Sequence, residues 1–432
     1  MKTLECRGIT LSDKQTKICV PITGTDLEEI KEQAEKIANM NPDVVEWRAD
    51  FYDVKDNDET EFEQCLKTIN DNLKKIPIIY TYRTSNEGGE KSIDVDNYCR
   101  LCKYVSEISE KYNVAMIDVE LYENKDRKDI GKLLLDIKST GVKVIGSNHH
   151  FEGTPSEKDI FNVLKTMEEA GADICKIAVM PKEKVDVKTL INASKKANKE
   201  LNAPIITMSM GELGAVTRIC TRMTGSVVTF GAGVNASAPG QPPCEMVRFL
   251  LKASESGKID CNVALIGFMG TGKTTISNAL SRITGFKEVD VDQYIVEKEG
   301  MAIKDIFAEN GEQYFRDLET QALRDLQEEK ETIISCGGGA VLRDENVEIL
   351  NTGSVIVQLK ATPETVFERV KDHTHRPILN NDMSVRHITE LMNQREPRYN
   401  SVADIHVDKG DRVETCYYIL KELEKTGHFS VE

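Results

Sequence analysis

The sequence lacks any apolar run long enough to cross a bilayer, and its N-terminus, MKTLECRGITL, has no apolar core of the kind a signal peptide needs. A cytoplasmic protein is the expectation. Positive charge is scarce. Lys and Arg number 56 against 72 Asp and Glu, for a net charge of −16, which argues against nucleic acid or an anionic membrane as partner. If the substrates are anions, local arginines must hold them against that field. The eleven cysteines are odd in number and scattered, which suits a reducing compartment rather than a disulfide framework. Cys99 and Cys102 make one CxxC, but no second pair completes a zinc site, and helical spacing accounts for them equally well. No internal repeat and no low-complexity tract is present.

What remains is a soluble, globular composition, 40% hydrophobic and 30% charged, in 432 residues. That is too long for one ordinary core. Up to about residue 250, short β-rich runs alternate with amphipathic helical stretches: KICVPI, VVEWRAD, PIIYTYR, AMIDVEL, KVIGSNH, ICKIAVM, PIITMSM and SVVTFG. Eight strand–helix units predict a (β/α)8 TIM barrel over 1–253, with a doubly wound sheet as the competing topology. The polar segment 254–260, SESGKID, reads as a linker. Residues 261–432 alternate strands and helices again and predict a three-layer α/β domain with a parallel sheet.

GFMGTGKT, residues 267–274, matches G-x-x-x-x-G-K-[ST] between a strand and a helix. Its glycines let backbone N–H groups turn around phosphate oxygens, Lys273 can reach the terminal phosphates, and the Thr274 hydroxyl can bind Mg2+. No Asn-Lys-x-Asp motif follows, so ATP is expected rather than GTP. Asp290 and Asp292, in DVD, are expected at a strand end with both carboxylates on one face. Arg316 lies in GEQYFRDLE, three glycines in CGGGAV, and Arg395 in QREPRY. His373 and His375 form an HxH pair that reads as a solvated lid rather than a metal site.

These motifs, in this order and spacing, resemble shikimate kinase across essentially all of 261–432. The resemblance implies ATP held by Gly270, Thr271, Gly272, Lys273, Thr274 and Thr275. Asp290 then joins Thr274 at the magnesium, and Asp292 positions the shikimate hydroxyl that is phosphorylated. Arg316, Arg395 and the triple glycine (Gly337, Gly338, Gly339) would hold shikimate, the arginines on its carboxylate. Arg376 on the lid would contact the transferring phosphates, and Arg369 lies where the family covers adenine.

In the first 250 residues the telling residue is Lys176, inside the apolar run ICKIAVM. Burying an ammonium is costly unless it is paired or deprotonated. Function in a barrel sits at the C-terminal strand ends, where Glu46, Arg48, Arg83, Glu87, His149 and Arg218 also fall. Desolvation and nearby arginines are expected to lower the lysine pKa and yield an amine nucleophile. EWRxD, YR…EGG, SNH, DICKIAVMP, MSMGxLGxxxR and SAPGQ together resemble type I 3-dehydroquinate dehydratase over about residues 1–253. By that resemblance Lys176 forms a Schiff base with the substrate ketone, without any cofactor. His149 moves the α-proton and Glu87 orients it. Arg218 binds the substrate carboxylate, Glu46, Arg48 and Arg83 the ring hydroxyls, and Ser237 and Gln241 close a loop. His150 stands where many members have Asp, and Pro21 where some have Ser.

A Schiff-base aldolase fused to another small-molecule P-loop kinase is the alternative pairing, and a scaffold that binds nucleotide without turnover is a third class. The partners implied are small molecules: 3-dehydroquinate, shikimate and ATP. A homodimer through the barrel is compatible with the sequence but not fixed by it. GAGVNA (231–236) fits a dinucleotide-binding pattern, but Pro239, Pro242 and Pro243 forbid the helix that such a site needs.

Overall fold

Alternation along buried strands organises the first part of the chain. A computed structural model describes residues 2–53, 58–121, 128–371, 384–408 and 410–431. It begins with an antiparallel hairpin, β1 (Thr3–Cys6) and β2 (Ile9–Ser12). Eight parallel strands follow: β3 (Lys17–Ile22), β4 (Val44–Arg48), β5 (Ile78–Thr81), β6 (Val114–Glu120), β7 (Lys143–His150), β8 (Ile174–Val179), β9 (Ile205–Ser209) and β10 (Val228–Phe230). They form one sheet in the order β10-β3-β4-β5-β6-β7-β8-β9. Between the two end strands, Ile205 of β9 and Ser226, just before β10, make an isolated parallel bridge, so the barrel is nearly closed.

Each strand divides its residues between two environments. In β4, Val45 and Trp47 point outward into the sheet–helix core, whereas Val44 belongs to an inner cluster and Glu46 and Arg48 line a cavity. In β8, Cys175, Ile177 and Val179 point outward, while Ile174, Lys176 and Ala178 point in. Period-two alternation therefore stacks an apolar inner layer at the strand starts beneath a charged layer at the strand ends. The hairpin, which the sequence reading did not single out, packs on the apolar layer. Leu11 is fully buried there and the Cys6 thiol donates to the Ala115 carbonyl at 3.0 Å.

The chain divides into two compact units, Met1–Leu251 and Lys252–Glu432. In the second, β12 (Asn262–Ile266), β13 (Lys287–Asp290), β14 (Thr332–Ser335), β15 (Ser354–Leu359) and β16 (Ile405–Val407) form a parallel sheet ordered β13-β14-β12-β15-β16. The central strand, NVALI, is buried throughout, as a sheet covered on both faces requires. The segment expected as a linker is ordered instead. The helix Cys244–Ser256 runs into it, and β11 (Lys258–Ile259) pairs antiparallel with β17 (Phe429–Ser430). Ile259 and Phe429 are buried by this pairing, whose partner lies far along the chain and leaves no local signal. No helix among the described residues is long and apolar enough to cross a membrane.

Candidate active sites

All nine residues singled out in the barrel line one cavity at the C-terminal ends of the strands: Glu46, Arg48, Arg83, Glu87, His149, Lys176, Arg218, Ser237 and Gln241. Lys176 is 4% exposed. Its ammonium donates to Asp118 Oδ2 at 2.9 Å, lies 3.6 Å from Glu46 Oε1, and sits 4.8 Å above the Phe230 ring. The expected setting of arginines is thus corrected, because the direct partners are carboxylates. Burial alone would raise the Asp118 pKa, yet Arg83 and Lys176 hold it below the usual carboxylate range.

His149 Nδ1 is 2.8 Å from Glu87 Oε2. Burial, with Arg83 and Lys176 nearby, holds the imidazole well below its ordinary pKa. Burial also pushes the Glu87 carboxyl up to about 8, against the pull of Arg83. The pair is accordingly a hydrogen bond to a neutral imidazole and not an ion pair. His150 follows on β7 but is absent from the cavity lining, as is Pro21, which lies in register beside Glu46.

The three arginines differ. Arg83 is locked by Asp118 (2.7 Å), Glu120 (3.1 Å) and the Ser147 hydroxyl (2.9 Å). Arg48 makes a bidentate pair with Asp50 at 2.8 and 2.7 Å, leaving Nη1 turned toward the Ser237 carbonyl. Arg218 has no carboxylate partner among the described residues. It is 1% exposed, with Nε and Nη2 lacking any hydrogen-bond partner, and burial lowers it to about 10. A buried guanidinium left open toward a cavity is a receptor for an anion. Gln241 Oε1 accepts from the Ser237 amide at 2.8 Å and fixes the loop that carries both residues.

Asp118, Glu120, Asp50 and Ser147 were not foreseen. The signal for two of them was present: in AMIDVEL, alternation puts Met116, Asp118 and Glu120 on one face, two acids in an otherwise apolar run. GAGVNA forms a loop with no helix after it until Cys244.

In the second unit, Gly267, Gly270 and Gly272 adopt φ of 139°, 78° and 101°. A Cβ at Gly267 would lie 2.5 Å from the Leu359 carbonyl oxygen, so glycine is required where the loop leaves β12. Gly272 precedes the helix Lys273–Thr284, on whose first turn Thr274 and Thr275 stand. Lys273 is buried and donates to the carbonyls of Gly267 (2.9 Å) and Phe268 (3.0 Å). Arg369 donates to the carbonyls of Gly270 and Thr271, both at 3.1 Å.

Asp290 ends β13, but Asp292 does not continue the strand. Asp290 caps the helix Val291–Glu299 by accepting from the amides of Asp292 (3.1 Å) and Gln293 (3.3 Å). Capping, not continuation of the strand, therefore places Asp292 in the first turn of that helix. Asp290 Oδ2 accepts from the Thr274 hydroxyl at 2.8 Å and from Ser335 at 3.0 Å.

The triple glycine packs against the P-loop. A Cβ on Gly338 would lie 3.4 Å from the Met269 amide, on Gly337 2.5 Å from Glu319 and 3.3 Å from Asp292, and on Gly339 2.7 Å from Arg316. Arg316 pairs with Glu319 (2.9 Å) and Glu312 (3.1 Å). Arg395 lies 5.8 Å over the Phe268 ring with its Nη1 buried and unpartnered. Arg376, His373 and His375 lie outside the described residues.

These arrangements define a class: a barrel enzyme centred on a buried lysine, joined to a P-loop phosphotransferase. The type I 3-dehydroquinase family model matches residues 18–258, and the shikimate kinase model matches residues 269–424. The chain belongs to the type I 3-dehydroquinase family, with a shikimate kinase domain following in the same polypeptide. It is 38% identical over 252 residues to the 3-dehydroquinate dehydratase of Listeria monocytogenes, covering 58% of this chain and 97% of the relative. Against the Bacillus licheniformis enzyme the identity is 42% over 243 residues, 56% of this chain and 92% of that one. The solved type I 3-dehydroquinate dehydratase from Clostridium difficile superposes with a TM-score of 0.54 at 36% identity, covering 58% of this chain and 96% of that one.

Proposed function

We propose that one polypeptide carries two steps of aromatic-precursor synthesis: Schiff-base dehydration of 3-dehydroquinate to 3-dehydroshikimate, and ATP-dependent phosphorylation of shikimate. The observation that carries the first is Lys176 beside two carboxylates in a cavity that also holds His149 and the unpaired Arg218. Attack of the amine on the substrate ketone forms a C=N bond and expels water. The iminium inherits the positive charge that Asp118 and Glu46 already balance, so the site is organised for the intermediate before substrate arrives. His149 takes the α-proton, with the electron pair delocalised into the iminium, and returns a proton to the departing hydroxyl. Water then releases the product. Arg218 binds the substrate carboxylate. Glu46, Arg48 and Arg83 address the ring hydroxyls, and Ser237 and Gln241 close over them.

In the kinase unit the P-loop amides and Lys273 hold the ATP phosphates, with Arg369 at the adenine side. Asp292 orients the acceptor hydroxyl, and Arg316, Arg395 and the Gly337–Gly339 backbone hold shikimate. Thr274 and Asp290 offer two hard oxygen ligands 2.8 Å apart, a set suited to Mg2+, which when bound neutralises charge on the transferred phosphate. The eleven cysteines, all reduced, favour a cytoplasmic setting.

The test uses both substrates. Dehydration creates a conjugated enone, so absorbance rises with dehydroquinate; ADP appears with shikimate and MgATP. Lys176→Ala should abolish the first and leave the second close to wild type, and borohydride with dehydroquinate should trap an adduct on Lys176. An adduct on another lysine, or turnover by Lys176→Ala, overturns the mechanism.

A further inference from the structure

Asp260, Cys261 and His428 have no part in either reaction. Their carboxylate oxygen, thiol sulfur and imidazole nitrogen all lie within 4.8 Å of one another, and His428 Nδ1 is 3.0 Å from Asp260 Oδ1. Asp260 and Cys261 join β11 to β12, while His428 immediately precedes β17. The Asp260 amide donates to the His428 carbonyl at 3.3 Å, so the β11–β17 pairing holds the two chain segments in register.

We propose that these three side chains form a binding site for a divalent transition-metal cation of the zinc class, with a fourth position left to water. Ligands about 2.0–2.3 Å from a tetrahedral metal lie roughly 3.3–3.8 Å from each other. The Asp260–His428 separation is already near that range. The Asp260 and His428 side chains are 68% and 42% exposed, so small rotations bring the donors onto a common centre without disturbing a core. A mixed oxygen, nitrogen and sulfur set selects a borderline ion over Mg2+ or Ca2+, which prefer all-oxygen sites such as the Thr274–Asp290 pair. The site lies at the start of β12, and the P-loop follows the end of that strand. Its role is therefore structural: it clamps the entry of the kinase unit to its C-terminal strand.

The experiment is a titration of the metal-free full chain with Co2+, read by absorption. One equivalent should produce thiolate-to-cobalt charge transfer in the near ultraviolet, displaced by Zn2+ but not by Mg2+. Cys261→Ser should lose the band. His428→Ala should raise the Co2+ Kd at least about tenfold, since even second-shell changes weaken metal sites by that much. Both variants should keep dehydratase and kinase turnover, which also reports that they are folded. Absence of the band in the wild-type chain, or the same band in Cys261→Ser, overturns the proposal.

Discussion

Replacing Arg218 by methionine should weaken substrate binding and stabilise the ligand-free barrel at the same time. The side chain is 1% exposed, two of its nitrogens lack partners, and Nη1 reaches Met208 Sδ at 3.4 Å. Burial alone brings its pKa from the ordinary arginine value down to about 10. Such a shift corresponds to about 3 kcal/mol working against the charged form in the folded state. The sign is clear. A cation whose folded pKa is depressed costs stability at every pH below that pKa, so the penalty is fully present at pH 7. Methionine keeps much of the aliphatic volume and removes the charge. For a domain of this size, each kcal/mol moves Tm by ~2–4 °C, so the apo melting temperature should rise by up to about 10 °C. Binding responds oppositely. Losing one partner of a buried charge-assisted pair costs about 2–5 kcal/mol, a rise in KM of roughly 30-fold or more. Thermal unfolding without ligand and absorbance-monitored dehydration measure the two effects. A variant that melts lower with an unchanged KM would show that Arg218 is a structural residue and refute its assignment to the substrate carboxylate.

Three further outcomes are expected. With Glu87 protonated, its carboxyl donates to His149 Nδ1 and the proton of the ring sits on Nε2; loss of the Glu87 proton near pH 8 frees Nε2 to act as base. Dehydration kcat/KM should therefore climb as pH rises through about 8, and Glu87→Gln should flatten that climb; an unchanged profile contradicts the pairing. Arg395→Ala should weaken shikimate binding by about 2–5 kcal/mol with little effect on ATP, measured by separate titrations, and equal losses would place the arginine elsewhere. Given dehydroquinate, MgATP and NADPH, the pure protein should stop at dehydroshikimate, because GAGVNA is a loop without the helix a pyrophosphate requires. Phosphorylated shikimate formed without an added reductase would reveal a third active site.

Most of both candidate sites was legible in the sequence because their chemistry is written in contiguous motifs. A phosphate cradle needs glycines, a lysine and a threonine within eight residues of one turn, so GFMGTGKT declares itself. Lys176 was conspicuous because a charge in an apolar strand demands a reason, and eight strand–helix units implied the end of the barrel at which it would act. What the sequence could not decide was who stands opposite whom. Asp118 meets Lys176 across 58 residues and Arg83 across 35, contacts that exist only once neighbouring strands pair and the sheet curls. Whether the lysine's neighbours are arginines or carboxylates is a property of that closure. Local competition was equally hidden: Asp290 ends its strand by capping a helix, so Asp292 reaches the site by a route that alternation does not describe. The pairing of β11 with β17 joins residues some 170 positions apart, and with it Asp260, Cys261 and His428. Motifs record what a short stretch of chain can do; long-range register, set by burial and backbone hydrogen bonding, decides which groups it does it with.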